Sequence, residues 1–85
     1  MSGLGQETTD VVEAAVRVAG TIGARGRGDV QGARELLVSF DSQEELGQGA
    51  FLVADMALRA LAEQTGETLD DCVSLLTLRL MSIRD

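Results

Sequence analysis

Residues 65–71 read TGETLDD, and they end one helix-forming segment and begin another. Gly66 is placed to close a helix in the left-handed conformation, which glycine adopts without a steric penalty. Thr68 stands three residues before Asp71, the spacing of a helix N-cap and the residue that it caps. The sequence therefore predicts one helix on each side of a short turn. Such a turn favours an antiparallel arrangement of the two helices.

The helix that Gly66 closes has its own start signal. Ser42 is followed by Glu44 and Glu45, a capping pattern with acidic residues in the first turn, where the helix dipole favours them. Gly47 and Gly49 should soften the first turns of this third helix. Its core face is predicted at Ala50, Phe51, Ala54, Ala57, Leu58 and Leu61, opposite a charged ladder of Asp55, Arg59 and Glu63.

Two further helices are predicted before Ser42. The first should begin near Asp10, after a flexible N-terminus at residues 1–8, and end at Gly23. A Gly/Arg linker at residues 24–28 should lead to a second helix capped by Asp29. The predicted core stripes are Val12, Ala15, Val16, Ala19 and Ile22 in the first helix, and Val30, Ala33, Leu36, Leu37 and Phe40 in the second.

The helical period accounts for most of the chain, and no segment alternates as a strand does. The expected helices have roughly 13, 11, 20 and 14 residues, the last ending near Ser82. We therefore predict an all-α single domain over residues 1–85, a compact four-helix bundle of short antiparallel helices.

Composition argues against most catalytic and metal-binding chemistry. The 85 residues include no His and one Cys, so Ser-His and Cys-His pairs, histidine-ligated zinc sites and intramolecular disulfides are excluded. We expect a non-enzymatic protein without cofactor, metal or small-molecule substrate.

The charge is strongly acidic and unevenly distributed. The net charge is −7, and residues 35–71 hold nine acidic residues against the single base Arg59. Such a surface repels phosphates and anionic membranes, so we expect neither nucleic acid nor membrane as a partner. The acids either keep the domain soluble or fit a basic surface on another protein.

Three sequence features bear on the cellular compartment of the protein. The N-terminus lacks a basic start followed by an apolar run, and the longest apolar stretch, residues 50–54, is too short to cross a bilayer. A lone Cys72 at an apolar helical position fits a reducing environment. We expect a cytoplasmic protein.

Two short segments resemble known motifs. Residues 61–73 resemble a helix-turn-helix, although the second helix would present Asp70 and Asp71 to DNA and has no base before Arg79. Asp41-Ser42 resembles the attachment site of acyl and peptidyl carrier proteins, in which that serine carries phosphopantetheine. Gln43 stands where that family has leucine. The resemblance implies a carrier-like domain modified on Ser42.

The last two helices carry apolar residues on more than one face. The residues outside the main stripes are Leu52, Met56, Leu75, Leu78 and Met81. A chain this short buries only about two-thirds of its unfolded surface, so it has difficulty covering two faces of a helix. We expect an interaction module, a homodimer or a binder of another protein, with these five residues at the interface. The alternatives are a central fourth helix that buries both faces, an acidic inhibitor or regulator of a basic surface, and the carrier-like domain.

Overall fold

The structure, a computed structural model, describes residues 2–84, with side chains from Thr9 onward. Within this range all regular structure is helical, which confirms the predicted all-α class with four helices. The helices are α1 (Ser2–Gly26), α2 (Val30–Val38), α3 (Gln43–Thr65) and α4 (Leu69–Arg84).

The chain packs as two units, Met1–Val53 and Ala54–Asp85. The first unit contains α1, α2 and the first turns of α3. The second contains the remainder of α3 and α4, and we refer to it as the C-terminal hairpin.

The helices are not all short, because α1 has 25 residues and α3 has 23. The backbone of α1 is helical from Ser2 rather than from Asp10. The predicted flexibility of residues 1–8 stays a prediction, because Met1 and the side chains of residues 2–8 lie outside the described residues.

The C-terminal end of α1 also lies beyond the predicted position. The helix passes through Gly20 and Gly23 because this part packs against α2, with Ala24 buried and a Leu36 methyl carbon 3.4 Å from where a Cβ on Gly20 would lie. The predicted linker at residues 24–28 is therefore reduced to a connection over residues 27–29.

Gly28, rather than Gly23, closes α1. It has a positive φ of 83°, its N–H donates to the Arg25 carbonyl at 3.0 Å, and the Asp29 N–H donates to the Ala24 carbonyl at 2.9 Å. These two hydrogen bonds form a Schellman motif, in which the residue just after the helix end, here Gly28, adopts the left-handed conformation. Glycine is the residue that takes this conformation without strain.

The other helix ends agree with the sequence. Asp29 Oδ1 accepts from the Gly32 N–H at 2.8 Å, Ser42 Oγ accepts from the Glu45 N–H at 3.1 Å, and Thr68 Oγ1 accepts from the Asp71 N–H at 3.1 Å. Gly66 ends α3 with a φ of 75°. The predicted caps of α2, α3 and α4 and the predicted glycine stop are confirmed.

The buried face of α1 differs from the predicted stripe. Val16 and Ile22 are 66% and 58% exposed, and Val12 and Ala19 are exposed as well. The side chains buried along α1 are instead those of Ala14, Ala15, Val18, Thr21 and Ala24. Of the predicted stripe only Ala15 is buried, so α1 packs through its smaller residues.

Gly49 explains why small residues face inward. It is buried in α3 against α1, and a Cβ added there would lie 2.7 Å from the backbone carbonyl carbon of Ala14 and 2.9 Å from its Cβ. Real Cβ atoms do not approach a backbone this closely, so the two helices meet at a distance that only glycine permits. Gly49 therefore allows α1 and α3 to pack closely, in addition to lowering the helix propensity of the first turns of α3.

We predict that Gly49→Ala lowers the free energy of unfolding by about 1–3 kcal/mol, because the added methyl group forces α3 away from α1. Gly47→Ala is the matched control, since open space surrounds that position. It should raise stability by about 0.5–1 kcal/mol through better helix propensity. Urea unfolding followed by circular dichroism, at one protein concentration, measures both. Equal responses of the two glycines would show that the close approach does not exist.

Candidate interaction surface

The apolar side chains of α4 are mostly uncovered. Leu78 is 65% exposed, and Leu75 and Met81 are each 47% exposed. The remaining large apolar residues of the helix that are at least 40% exposed are Val73, Leu76, Leu80 and Ile83. Cys72 is the buried residue of α4, and Leu69 is half-buried. A helix that is apolar on all sides is normally covered on all sides.

The five residues predicted at an interface fall in both units. Met56, Leu75, Leu78 and Met81 belong to the C-terminal hairpin, and all four are exposed. Leu52 belongs to the first unit and is half-buried. Leu75, Leu78 and Met81 follow one another at intervals of three residues, so each adjoins the next on the helix surface.

An apolar groove runs along the C-terminal hairpin. It has a volume of 290 Å³ and is lined by Leu58, Leu61, Cys72, Leu75, Leu76 and Arg79. Among the residues predicted at the interface, Leu75 lines it. Leu61 was predicted to belong to the core stripe of α3, yet it is 42% exposed, and Leu76 of α4 is 40% exposed. Phe51, in the first unit, was also predicted in the core and is 75% exposed.

Part of the charged ladder on α3 forms an ion pair. Arg59 Nε donates to Asp55 Oδ2 at 2.9 Å, an i, i+4 pair on the helix surface. The hydrogen bond to Asp55, together with its negative charge, raises the pKa of Arg59 above its usual value. The pair therefore keeps this side of α3 polar.

A second candidate region surrounds Arg17 in the first unit. Its Nη1 lies 3.2 Å from Glu45 Oε1 and 3.5 Å from the Ser39 carbonyl oxygen, and its guanidinium carbon lies 5.7 Å from the centre of the Phe40 ring. One cation thus holds the connection between α2 and α3 against α1. No sequence pattern indicates this role of Arg17, because its partners lie more than twenty residues away in the chain.

The region around Arg17 is also a polar depression of 320 Å³. It is lined by Asp10, Glu13, Arg17, Asp41, Ser42, Glu44, Glu45 and Gln48. Five carboxylates thus surround one guanidinium, so the depression is acidic. Among the described residues, no group of three or more His, Cys, Asp or Glu side chains is arranged to hold a metal ion.

Ser42 acts as the cap of α3 at the edge of this depression. Its hydroxyl oxygen accepts the Glu45 N–H, which accounts for a serine at this position without a further role. Modification of Ser42 as in carrier proteins stays a prediction.

None of the helices, taken over residues 2–84, combines the length and the apolar character needed to cross a membrane. Comparisons of the chain with models of protein families, with curated proteins and with solved structures found no match. Function is therefore inferred from the chemistry of the two regions described above.

We predict that Arg17→Met lowers the free energy of unfolding by about 1–2 kcal/mol, since it removes a partly buried ion pair and a contact over the Phe40 ring. Arg59→Met is the matched control, because it removes an exposed ion pair within one helix, and such pairs contribute little to stability. Urea unfolding at fixed protein concentration measures the difference. If the two changes have the same effect, Arg17 does not anchor the connection between α2 and α3.

Proposed function

We propose that this protein is a small, non-enzymatic interaction module that forms a homodimer through α3 and α4, with Leu52, Met56, Leu75, Leu78 and Met81 at the interface. The observation that carries the proposal is the exposure of seven large apolar side chains on α4, from Val73 to Ile83.

The apolar surface that α4 leaves exposed to water is a source of binding energy. Fully burying a Leu, Ile, Val or Met side chain contributes about 1.5–3 kcal/mol relative to full exposure. Covering the exposed half of Met56, Leu75, Leu78 and Met81, the four exposed residues of the proposed interface, therefore contributes on the order of 3–6 kcal/mol from each copy. Two copies together reach the estimated cost of association, about 4–15 kcal/mol for lost translational and rotational freedom. The surface is large enough for a dimer.

A second copy of the chain is the simplest partner for this surface, because it presents the same apolar residues. Two-fold dimers present the same patch from both subunits, so each exposed leucine on one copy meets apolar side chains of the same helix on the other. The methionines Met56 and Met81 suit such an interface, because their flexible side chains adapt to the opposing surface.

A cytoplasmic location is part of the proposal. Cys72 is a free thiol and is buried beside apolar residues of the hairpin. Proteins that keep a cysteine unpaired are typical of reducing compartments.

The acidic depression around Arg17 supports a second candidate function, an inhibitor or regulator that binds a basic surface of a larger protein. Carboxylates from α1, from the α2–α3 connection and from the start of α3 meet there. A partner held by charge should bind at low salt and dissociate at moderate salt, because screening weakens exposed ion pairs.

We predict that Asp41→Asn/Glu44→Gln weakens capture of such a partner from a lysate at low salt, whereas Glu63→Gln/Glu67→Gln, which removes two charges outside the depression, does not. Binding that is indifferent to salt, or lost equally in both variants, would contradict the electrostatic mechanism.

We predict that Leu75→Glu/Leu78→Glu converts a dimer into a monomer of 9.0 kDa that keeps its helical circular dichroism, because four introduced carboxylates would oppose each other in the interface. Light scattering at high micromolar concentration measures the mass.

The control is Val16→Glu/Val38→Glu, which places the same two charges at exposed apolar positions of the first unit. This variant should remain dimeric. A wild-type chain that is monomeric, and that unfolds when Leu75 and Leu78 are changed, would mean that these leucines belong to the core and that the proposed function is wrong.

A further inference from the structure

A row of three residues along α4 carries opposite charges on either side of a leucine. Asp71, Leu75 and Arg79 are spaced by four residues, so they lie on one side of the helix. At a rise of about 1.5 Å per residue, the two charged residues lie about 6 Å before and about 6 Å after Leu75 along the helix axis.

The two charges are not neutralised by any residue that the structure describes. Among residues 9–84, neither the Asp71 carboxylate nor the Arg79 guanidinium has an ion-pair partner, and both residues are exposed. They cannot pair with each other, because eight residues of helix separate them by about 12 Å. Both therefore remain available to a partner.

Arg79 lies on the surface that a second copy would cover. It lines the apolar groove beside Leu75 and Leu76. Covering a cation with an apolar surface is costly unless the covering surface supplies a carboxylate. A dimer through this face must therefore bring an acidic residue close to Arg79.

We propose, building on the homodimer proposed above, that the two copies pair their α4 helices antiparallel about a two-fold axis at Leu75. Leu75 then meets Leu75 of the other copy, and each Asp71 lies opposite an Arg79. The row is self-complementary in this orientation alone, since parallel helices would place Asp71 against Asp71 and Arg79 against Arg79. Like charges opposed in an interface exclude an arrangement more effectively than opposite charges add affinity.

The groove beside the row supports the same face. Leu58 and Leu61 of α3 form its other wall, so an apolar surface adjoins Leu75 on the hairpin. The charged pairs would flank this apolar centre, the usual arrangement of an interface with a polar rim.

Charge reversal tests the orientation. The variants are Asp71→Arg, Arg79→Asp and the exchange Asp71→Arg/Arg79→Asp, each measured by sedimentation equilibrium together with circular dichroism. Asp70→Arg and Arg84→Asp are the matched controls, because they make the same charge changes in the same helix but outside the row.

We expect each reversal in the row to raise the dimer dissociation constant by at least about tenfold, because it creates two like-charge pairs. The exchange variant should return close to the wild-type constant. An equimolar mixture of the two single variants should also associate more strongly than either alone. The controls should remain near the wild-type value.

The outcomes separate this inference from the function on which it rests. A monomeric wild-type protein overturns both. A wild-type dimer whose row reversals match the controls overturns the antiparallel arrangement and leaves self-association standing. Reversals that weaken the dimer without rescue by the exchange also overturn it, since they would report local damage to α4 and not pairing of Asp71 with Arg79.

Discussion

The helices of the first unit meet through small side chains, and the packing of that unit depends on this constraint. Gly49 lies against the backbone of Ala14, and Ala24 of α1 and Ala33 of α2 are also buried. Small residues allow close approach, which gains dispersion contacts between backbones. Several larger residues, among them Val16, Ile22 and Val38, lie outside these contacts and are exposed.

The local features of the fold could be predicted from the sequence. The caps Asp29, Ser42 and Thr68 and the stop at Gly66 depend on hydrogen bonds that span a few residues, so their signals are contained in short segments. The all-α class follows from the same local information together with helical periodicity. These parts of the fold needed no knowledge of which helix packs against which.

The packing faces could not be predicted in the same way. Assigning Val16 and Ile22 to the core of α1 assumed that the largest apolar residues are buried first, and the close approach at Gly49 reversed that order. The C-terminal end of α1 was predicted too early because Gly20 and Gly23 are poor helix formers in isolation, whereas contacts with α2 keep this part of α1 helical. The contacts of Arg17 could not be predicted because its partners are distant in sequence.

The candidate interface also combines features that the sequence predicts with features that only the structure shows. Spacing alone singled out Leu75, Leu78 and Met81 as surplus apolar residues, and their exposure is what supports a dimer. The row Asp71, Leu75, Arg79 acquired meaning only when the groove placed Arg79 beside uncovered apolar surface. Charge spacing is visible in a sequence, but the surface that each charge borders is a tertiary property.

The buried thiol of Cys72 gives the hairpin a built-in reporter. It is the single cysteine of the chain, is 3% exposed, and lines the apolar groove of the hairpin together with Leu58 and Leu61. A thiol reagent modifies a buried sulfur atom when the packing around it opens, so the rate of labelling reports how often the packing around Cys72 opens. A partner that binds the hairpin and keeps this packing closed will slow the labelling of the Cys72 sulfur atom. The factor by which labelling slows gives the free energy by which the partner stabilises the closed state.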